Sequence, residues 1–276
     1  MFEEILQNVR LKKPLTHCIT NYITTNDCAN IVLACGASPT MAEAEQEAAE
    51  IASQADGLDI NIGNLNSHTV LAMHRAIAAA NQAEIPVVLD PVGAGASTYR
   101  METLRDFFAQ YRFSVVRGNV SELLAVGGAA SNTKGVDASA ADAVTEENLQ
   151  ERVEFFKQLS AKLGAVVSVS GAIDIIASPE RAYICRNGHP MMSCVTGTGC
   201  MLSALTAAYC GGNPDNILGI NVSRGGSGAN RRDGRRRRHC VSKNKGAGIG
   251  NRLVPRLSDG CYQLDGRRDI TGRNER

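Results

Sequence analysis

Four short apolar runs, spread over residues 58–170, most constrain what this chain can fold into. They are Leu58-Asp59-Ile60-Asn61-Ile62-Gly63, Ile85-Pro86-Val87-Val88-Leu89-Asp90, Phe113-Ser114-Val115-Val116-Arg117 and Ala165-Val166-Val167-Ser168-Val169-Ser170. Each has strand length, and the stretches near 26–34, 67–83 and 146–163 carry helical periodicity. Strands that are largely apolar on both faces and alternate with helices predict a mainly parallel sheet with helices on both faces, an α/β fold in a single domain. Ligands of such sheets collect beyond the carboxyl ends of the strands. Those ends carry Asn61 and Gly63, Asp90, Arg117 and Asn119, and Ser170 and Gly171. Asp, Asn and Gly are also ordinary turn formers, so the convergence marks a place without naming its chemistry.

A second signal is Val195-Thr196-Gly197-Thr198-Gly199-Cys200, followed by an apolar run in which Met201, Leu202, Leu205 and Ala208 take the spacing of a buried helical face. It reads as a glycine turn opening a helix, whose first amides and dipole suit an anion. Cys200 on that first turn is expected to have a lowered thiol pKa. Taken alone, such a turn serves equally well without a ligand, and Cys200 equally well as a packed core residue. Asp90 and Glu122 offer hard oxygens suited to Mg2+, though a turn cap and a helix-start acid explain them as readily. The Arg117 guanidinium offers a phosphate clamp or an ordinary ion pair. Elsewhere, Pro14–Tyr22 reads as extended, Gly36 ends a helix, Ala37–Met41 reads as a loop before a helix rich in Ala and Glu, and Ser67 reads as a helix cap.

No apolar run approaches the length of a membrane span, and the acidic start Met-Phe-Glu-Glu lacks the pattern of an export signal. Nine scattered cysteines with no C-x-x-C pair fit reduced thiols of a cytoplasmic protein. The net charge of +1 hides an asymmetry. Residues 221–276 carry 15 Lys and Arg against 5 Asp and Glu, whereas residues 1–220 carry 14 against 23.

The chain resembles the hydroxyethylthiazole kinases of the ribokinase-like superfamily. The resemblance rests on segments in the family's order: Thr16-His17-Cys18-Ile19-Thr20-Asn21, Gly36-Ala37-Ser38-Pro39-Thr40-Met41, Ile60-Asn61-Ile62-Gly63, Leu89-Asp90-Pro91-Val92-Gly93-Ala94-Gly95-Ala96, Arg117-Gly118-Asn119-Val120-Ser121-Glu122, Lys134-Gly135-Val136-Asp137, Asn187-Gly188-His189-Pro190 and Val195–Cys200. It implies a ribokinase-like fold and ATP- and Mg2+-dependent phosphorylation of a thiazole alcohol for thiamine biosynthesis. A homotrimer with pockets at its subunit interfaces follows by the same resemblance. The alternatives are a pyrimidine-alcohol kinase of the same superfamily, or a non-catalytic protein binding a nucleotide or RNA.

The resemblance places ATP contacts at Arg117 and Ser170 and the metal and phosphate region at Asp90 and Glu122. It places the thiazole pocket at Asn21 and Met41, with Gly197 approaching the same ligand. The anion hole falls on the amides of Gly197, Thr198, Gly199 and Cys200, with Cys200 where ribokinase relatives usually carry an aspartate base. Three positions depart from the family pattern: Asn64 and Ser170 stand for threonines, and Ala172 for a glutamate.

The resemblance stops near residue 220. Beyond it, Arg224-Gly225-Gly226-Ser227-Gly228 and Arg235-Arg236-Arg237-Arg238 replace the helical sequence of the family. A segment this charged and glycine-rich is expected to remain disordered. Tyr262 is its one aromatic, so nucleic acid is not an expected partner. The abrupt switch predicts that 221–276 arises from a reading-frame shift; an amphipathic helical segment should then appear in another frame of the DNA.

Overall fold

All four apolar runs are strands. The structure, a computed structural model, describes residues 2–129, 142–186, 188–217 and 261–264. The Lys134–Asp137 motif, Asn187 and all of the basic tail except 261–264 lie outside the described residues.

Among the described residues nine strands form one sheet, in the order β2-β1-β3-β4-β5-β6-β7-β8-β9. β1 (Leu15–Ile19), β2 (Ser38–Thr40), β3 (Gly57–Asn61), β4 (Val87–Asp90), β5 (Val115–Asn119) and β6 (Val166–Ser170) are parallel. β7 (Asp174–Ala177), β8 (Ala182–Cys185) and β9 (Cys261–Leu264) continue the sheet antiparallel. The mainly parallel α/β architecture is therefore the one expected, with an antiparallel edge in addition.

The period of two divides the strands between two cores. Leu58, Ile60, Leu89, Val116 and Val167 enter one core, shared with α3 (Ala48–Gln54), α4 (Ser67–Gln82), α5 (Thr98–Gln110), α6 (Val120–Gly127) and α7 (Leu149–Leu163). Cys18, Val88 and Val115 enter the other, under α1 (Phe2–Lys12), α2 (Thr25–Cys35) and α8 (Thr198–Gly212).

α8 lies over β1, β3 and β4 with its start at the carboxyl ends of the strands. Its buried face differs only in part from the one expected, for Leu205 and Ala208 are buried as the spacing predicts. Met201 and Leu202 are half-buried, whereas Ser203, Ala204 and Ala207 are fully buried. The reason is closeness: a Cβ added at Gly57 of β3 would lie 2.4 Å from the Ala207 carbonyl oxygen. Only small residues fit that seam.

Smaller corrections have local causes. Ser38–Thr40, read as a loop, is an edge strand beside β1, where Pro39 is tolerated. β4 starts at Val87, after Pro86 has lost its donor. β5 extends to Asn119 through its pairing with β6. Asn66, not Ser67, caps α4, its side chain accepting from the Thr69 amide at 2.9 Å. Cys18, Cys28, Cys35, Cys200 and Cys210 are buried thiols and Cys194 an exposed one, but Cys185 is disulfide-bonded, against the expectation of reduced cysteines throughout. Cys261–Leu264, inside the segment expected to be disordered, pairs with β8, whose outer edge offers unpaired backbone groups.

Candidate active site

The last residues of β3, β4 and β6, together with Arg117 inside β5, meet the first turn of α8. Asp90 is 1% exposed and stands at the centre. Its Oδ2 accepts from Ser203 Oγ at 2.6 Å and from Asn61 Nδ2 at 3.1 Å, and Arg117 Nη1 lies 3.6 Å away. Arg117 is itself buried; its Nη2 donates to Ser170 Oγ at 2.6 Å, while its Nε meets no partner among the described residues. A Cβ at Gly199 would come within 3.0 Å of Arg117 Nη1, so the guanidinium borders the glycine turn. The sequence signal at the strand ends thus corresponds to one connected polar cluster.

Glu122 enters from the start of α6. Its Oε2 accepts from the Asn119 amide at 2.8 Å, while Asn119 Oδ1 accepts from the Glu122 amide at 2.9 Å, a reciprocal cap. The remaining oxygen, Oε1, accepts from Gly93 N at 2.9 Å, in the turn after β4. Burial and then the Asp90 charge push the Glu122 carboxyl up to about 7. Burial also raises Asp90, against the pull of Arg117 and Ser203. Arg117 is the guanidinium that acts on both carboxyls, and burial outweighs it at each.

The raised Glu122 value has a signed consequence. Glu122 has an ordinary value of 4.5 and titrates near 7 in the fold, so the fold favours its protonated form. The resulting stability is complete below pH 4.5 and is lost as pH rises through about 7. Asp174, raised to about 6 mainly by burial, acts in the same direction. The thermal midpoint of the ligand-free protein should fall between about pH 5 and pH 8, and less so in Glu122→Gln. An unchanged pH profile in that variant would remove Glu122 as the cause.

On the other flank, Cys200 Sγ accepts from Asn21 Nδ2 at 3.1 Å. Asn21 also contacts Asn61 Oδ1 at 3.5 Å and takes the Thr24 amide at 3.2 Å, joining the end of β1 to the start of α2. The expected lowering of the Cys200 pKa is corrected here. Burial and the Asp90 charge raise it, outweighing the hydrogen bonds from Asn61, Thr24 and Asn21. A helix start favours a thiolate only where solvent or a cation shares the charge, and Asp90 supplies the opposite.

Met41 packs against the core cluster that holds Cys200 and Val92. Beside it, His17 is fully buried and its Nε2 lies 2.6 Å from the Ala42 carbonyl, which makes Nε2 the protonated nitrogen. Gly197 caps α8 at φ 81°, ψ 4°, with no side chain to occupy the amides of the first turn.

Asn21, Asp90, Arg117, Glu122, Ser170 and the first turn of α8 from Gly197 to Cys200 meet in one cluster, whereas Met41 is placed only by its packing on the same face of the sheet. Ser203, Asn61, Thr24 and Arg100 belong to that cluster as well, although only Asn61 stood out, as a strand end. For Ser203 the available signal was its spacing, one helical turn beyond Gly199.

The sequence matches the Hydroxyethylthiazole kinase family over residues 6–224. It is 51% identical to a hydroxyethylthiazole kinase of Clostridium acetobutylicum over 218 residues, covering 79% of this chain and 80% of that protein. A second, from Clostridium beijerinckii, is 50% identical over 215 residues, covering 78% and 77%. Among solved structures, a hydroxyethylthiazole kinase protein from Pyrococcus horikoshii superposes with a TM-score of 0.70 at 35% identity, covering 80% of both chains. A ribokinase-like superfamily protein from Enterococcus faecalis, at 14% identity and a TM-score of 0.51 over 79% and 78% of the two chains, shares the fold. With that fold and that extent of matched sequence, the chain belongs to the hydroxyethylthiazole kinase family.

Proposed function

We propose that this protein transfers the γ-phosphoryl group of ATP to the hydroxyl of 4-methyl-5-(2-hydroxyethyl)thiazole, giving the thiazole phosphate used in thiamine biosynthesis. The observation that carries the reading is the continuous network from Asn21 and Cys200 through Asn61 to Asp90, Arg117 and Ser170. An acceptor side and a phosphate side meet within it.

Phosphoryl transfer is mainly positioning and charge neutralisation. Arg117, whose Nε has no partner among the described residues, and the amides of Thr198, Gly199 and Cys200 receive the phosphate oxygens. Ser170 orients the guanidinium. Asn21 and Met41 seat the thiazole, and Gly197 lets it approach the backbone. Cys200, neutral because its pKa is raised, orients the acceptor hydroxyl and is not a ready base.

Two buried carboxyls, at each of which burial outweighs Arg117, fit a Mg2+ ion, with Asp90 and Glu122 holding it directly or through water. Held there, Mg2+ would supply positive charge to offset that of the phosphates.

The exposed apolar residues Tyr22, Ile23, Met191 and Val195, neighbours in sequence of Asn21 and Gly197, support a homotrimer that covers the acceptor side. No described helix is long and apolar enough to cross a membrane. We assign the protein to the cytoplasm on its free thiols at Cys18, Cys28, Cys35, Cys194, Cys200 and Cys210. Residues 1–220 form the kinase domain, and 221–276 we attribute to a frame shift.

The test is ADP release with Mg·ATP and the thiazole alcohol, a hydroxymethylpyrimidine, or no acceptor. Thiazole-dependent ADP is expected. Equal turnover of the pyrimidine, or none of either by folded protein, would overturn the assignment.

A further inference from the structure

α5 contributes nothing to the centre of the site, yet one of its side chains reaches behind it. Arg100 lies in the first turn of α5, which Ser97 fixes by accepting the Arg100 amide at 3.3 Å. Its guanidinium donates to the carbonyls of Ile62 and Gly63 after β3 and of Val92 after β4, the last two at 2.9 and 2.7 Å. One cation therefore spans two loops. A planar fork suits that task, whereas an ammonium on a single carbon does not.

Each loop then helps to orient an acid. The Gly63 amide donates to Asn61 Oδ1 at 2.9 Å, and Asn61 Nδ2 donates to Asp90 Oδ2 at 3.1 Å. In the other loop, Gly93 follows Val92 and its amide donates to Glu122 Oε1 at 2.9 Å. Glu122 is thus oriented directly by a peptide group next to a carbonyl that Arg100 grips, and Asp90 indirectly, through the Asn61 side chain that the Gly63 amide holds. Burial lowers the Arg100 pKa, and the Glu122 charge opposes that shift by favouring the charged guanidinium.

We propose that Arg100 is a positioning residue for phosphoryl transfer: it holds the loops after β3 and β4 in register, so that Asp90 and Glu122 face the metal and nucleotide together. The proposal rests on the reading of these two acids as the metal side of the kinase site. Outer residues that orient metal ligands typically change metal affinity or activity by about 10–100-fold when replaced.

The experiment compares the parent chain with Arg100→Lys, which keeps the charge but not the fork, and with Asn61→Ser, which breaks the same chain of contacts nearer the acid. Three quantities are read for each: kcat with the KM of the thiazole alcohol, the gain in ADP affinity on adding Mg2+ by calorimetry, and the thermal midpoint. In Arg100→Lys we expect kcat and the Mg2+-dependent gain in ADP affinity each to fall by about tenfold or more, with thiazole KM within about twofold. Asn61→Ser should lose the same Mg2+-dependent gain. A folded Arg100→Lys that keeps parental kcat and the parental Mg2+ gain, or that loses only thermal stability, overturns the proposal. Absence of thiazole turnover in the parent would instead strike the assigned reaction, while the calorimetric comparison would still judge Arg100.

Discussion

Gly197→Ala is expected to lower thiazole-dependent ADP release by about a hundredfold, because the methyl group has no place to go. At φ 81° an alanine is strained by about 1–3 kcal/mol before any contact is considered. Its Cβ would then lie 2.3 Å from Thr24 Cγ2 and 3.1 Å from Thr24 Cβ. Thr24 cannot step aside freely, since it precedes α2, its amide is held by Asn21 and its hydroxyl contacts Cys28. The start of α8 must retreat instead, taking the first-turn amides and Cys200 away from Asn21. Thr24→Ser removes the offending methyl and keeps the hydroxyl, so the double variant should regain part of the lost stability and activity while the φ strain persists. Activity and urea midpoints for the two single variants and the double variant check this. Additive effects, with no recovery, would show that the two residues do not meet as described.

Asp90→Asn separates catalysis from folding. Replacing the central carboxylate should lower kcat by about a thousandfold, near 4 kcal/mol of barrier. The amide oxygen can still accept from Ser203 and Asn61, and desolvation of the charge is relieved, so the fold should survive. The Asp90 charge is the second cause of the raised Glu122 value, after burial. Its removal should therefore move the alkaline loss of stability to lower pH. Circular dichroism melts across pH, run beside the kinase assay, report both effects. Parental kcat in a folded Asp90→Asn protein would exclude the carboxylate from the reaction.

The legible part of this molecule was its parallel sheet and the ends of its strands. Strands buried on both faces must be apolar throughout, so the polar residues that finish them stand out, as Asp90 and Ser170 do. Ser203 did not stand out, because a serine inside an apolar helix reads as filler until the strand beneath it is known. Arg100 carried no signal, since its three partners are backbone carbonyls that leave no trace in the sequence. The edge strand at Ser38–Thr40 was masked by Pro39, and the antiparallel β7 and β8 are too short to show a period. The Cys200 pKa followed the wrong rule because burial and the neighbouring Asp90 are tertiary facts. Family resemblance named the roles, but only packing ranked the forces acting on them.

The narrow seam between α8 and β3 also bears on how the protein can diversify. With Gly57 under the Ala207 carbonyl and Ser203 bonded to Asp90, the helix has no play against the sheet, and its first turn works as a fixed datum. New acceptor preferences should therefore arise by drift in the segment facing that datum, residues 21–24, while the helix itself stays nearly immune to change.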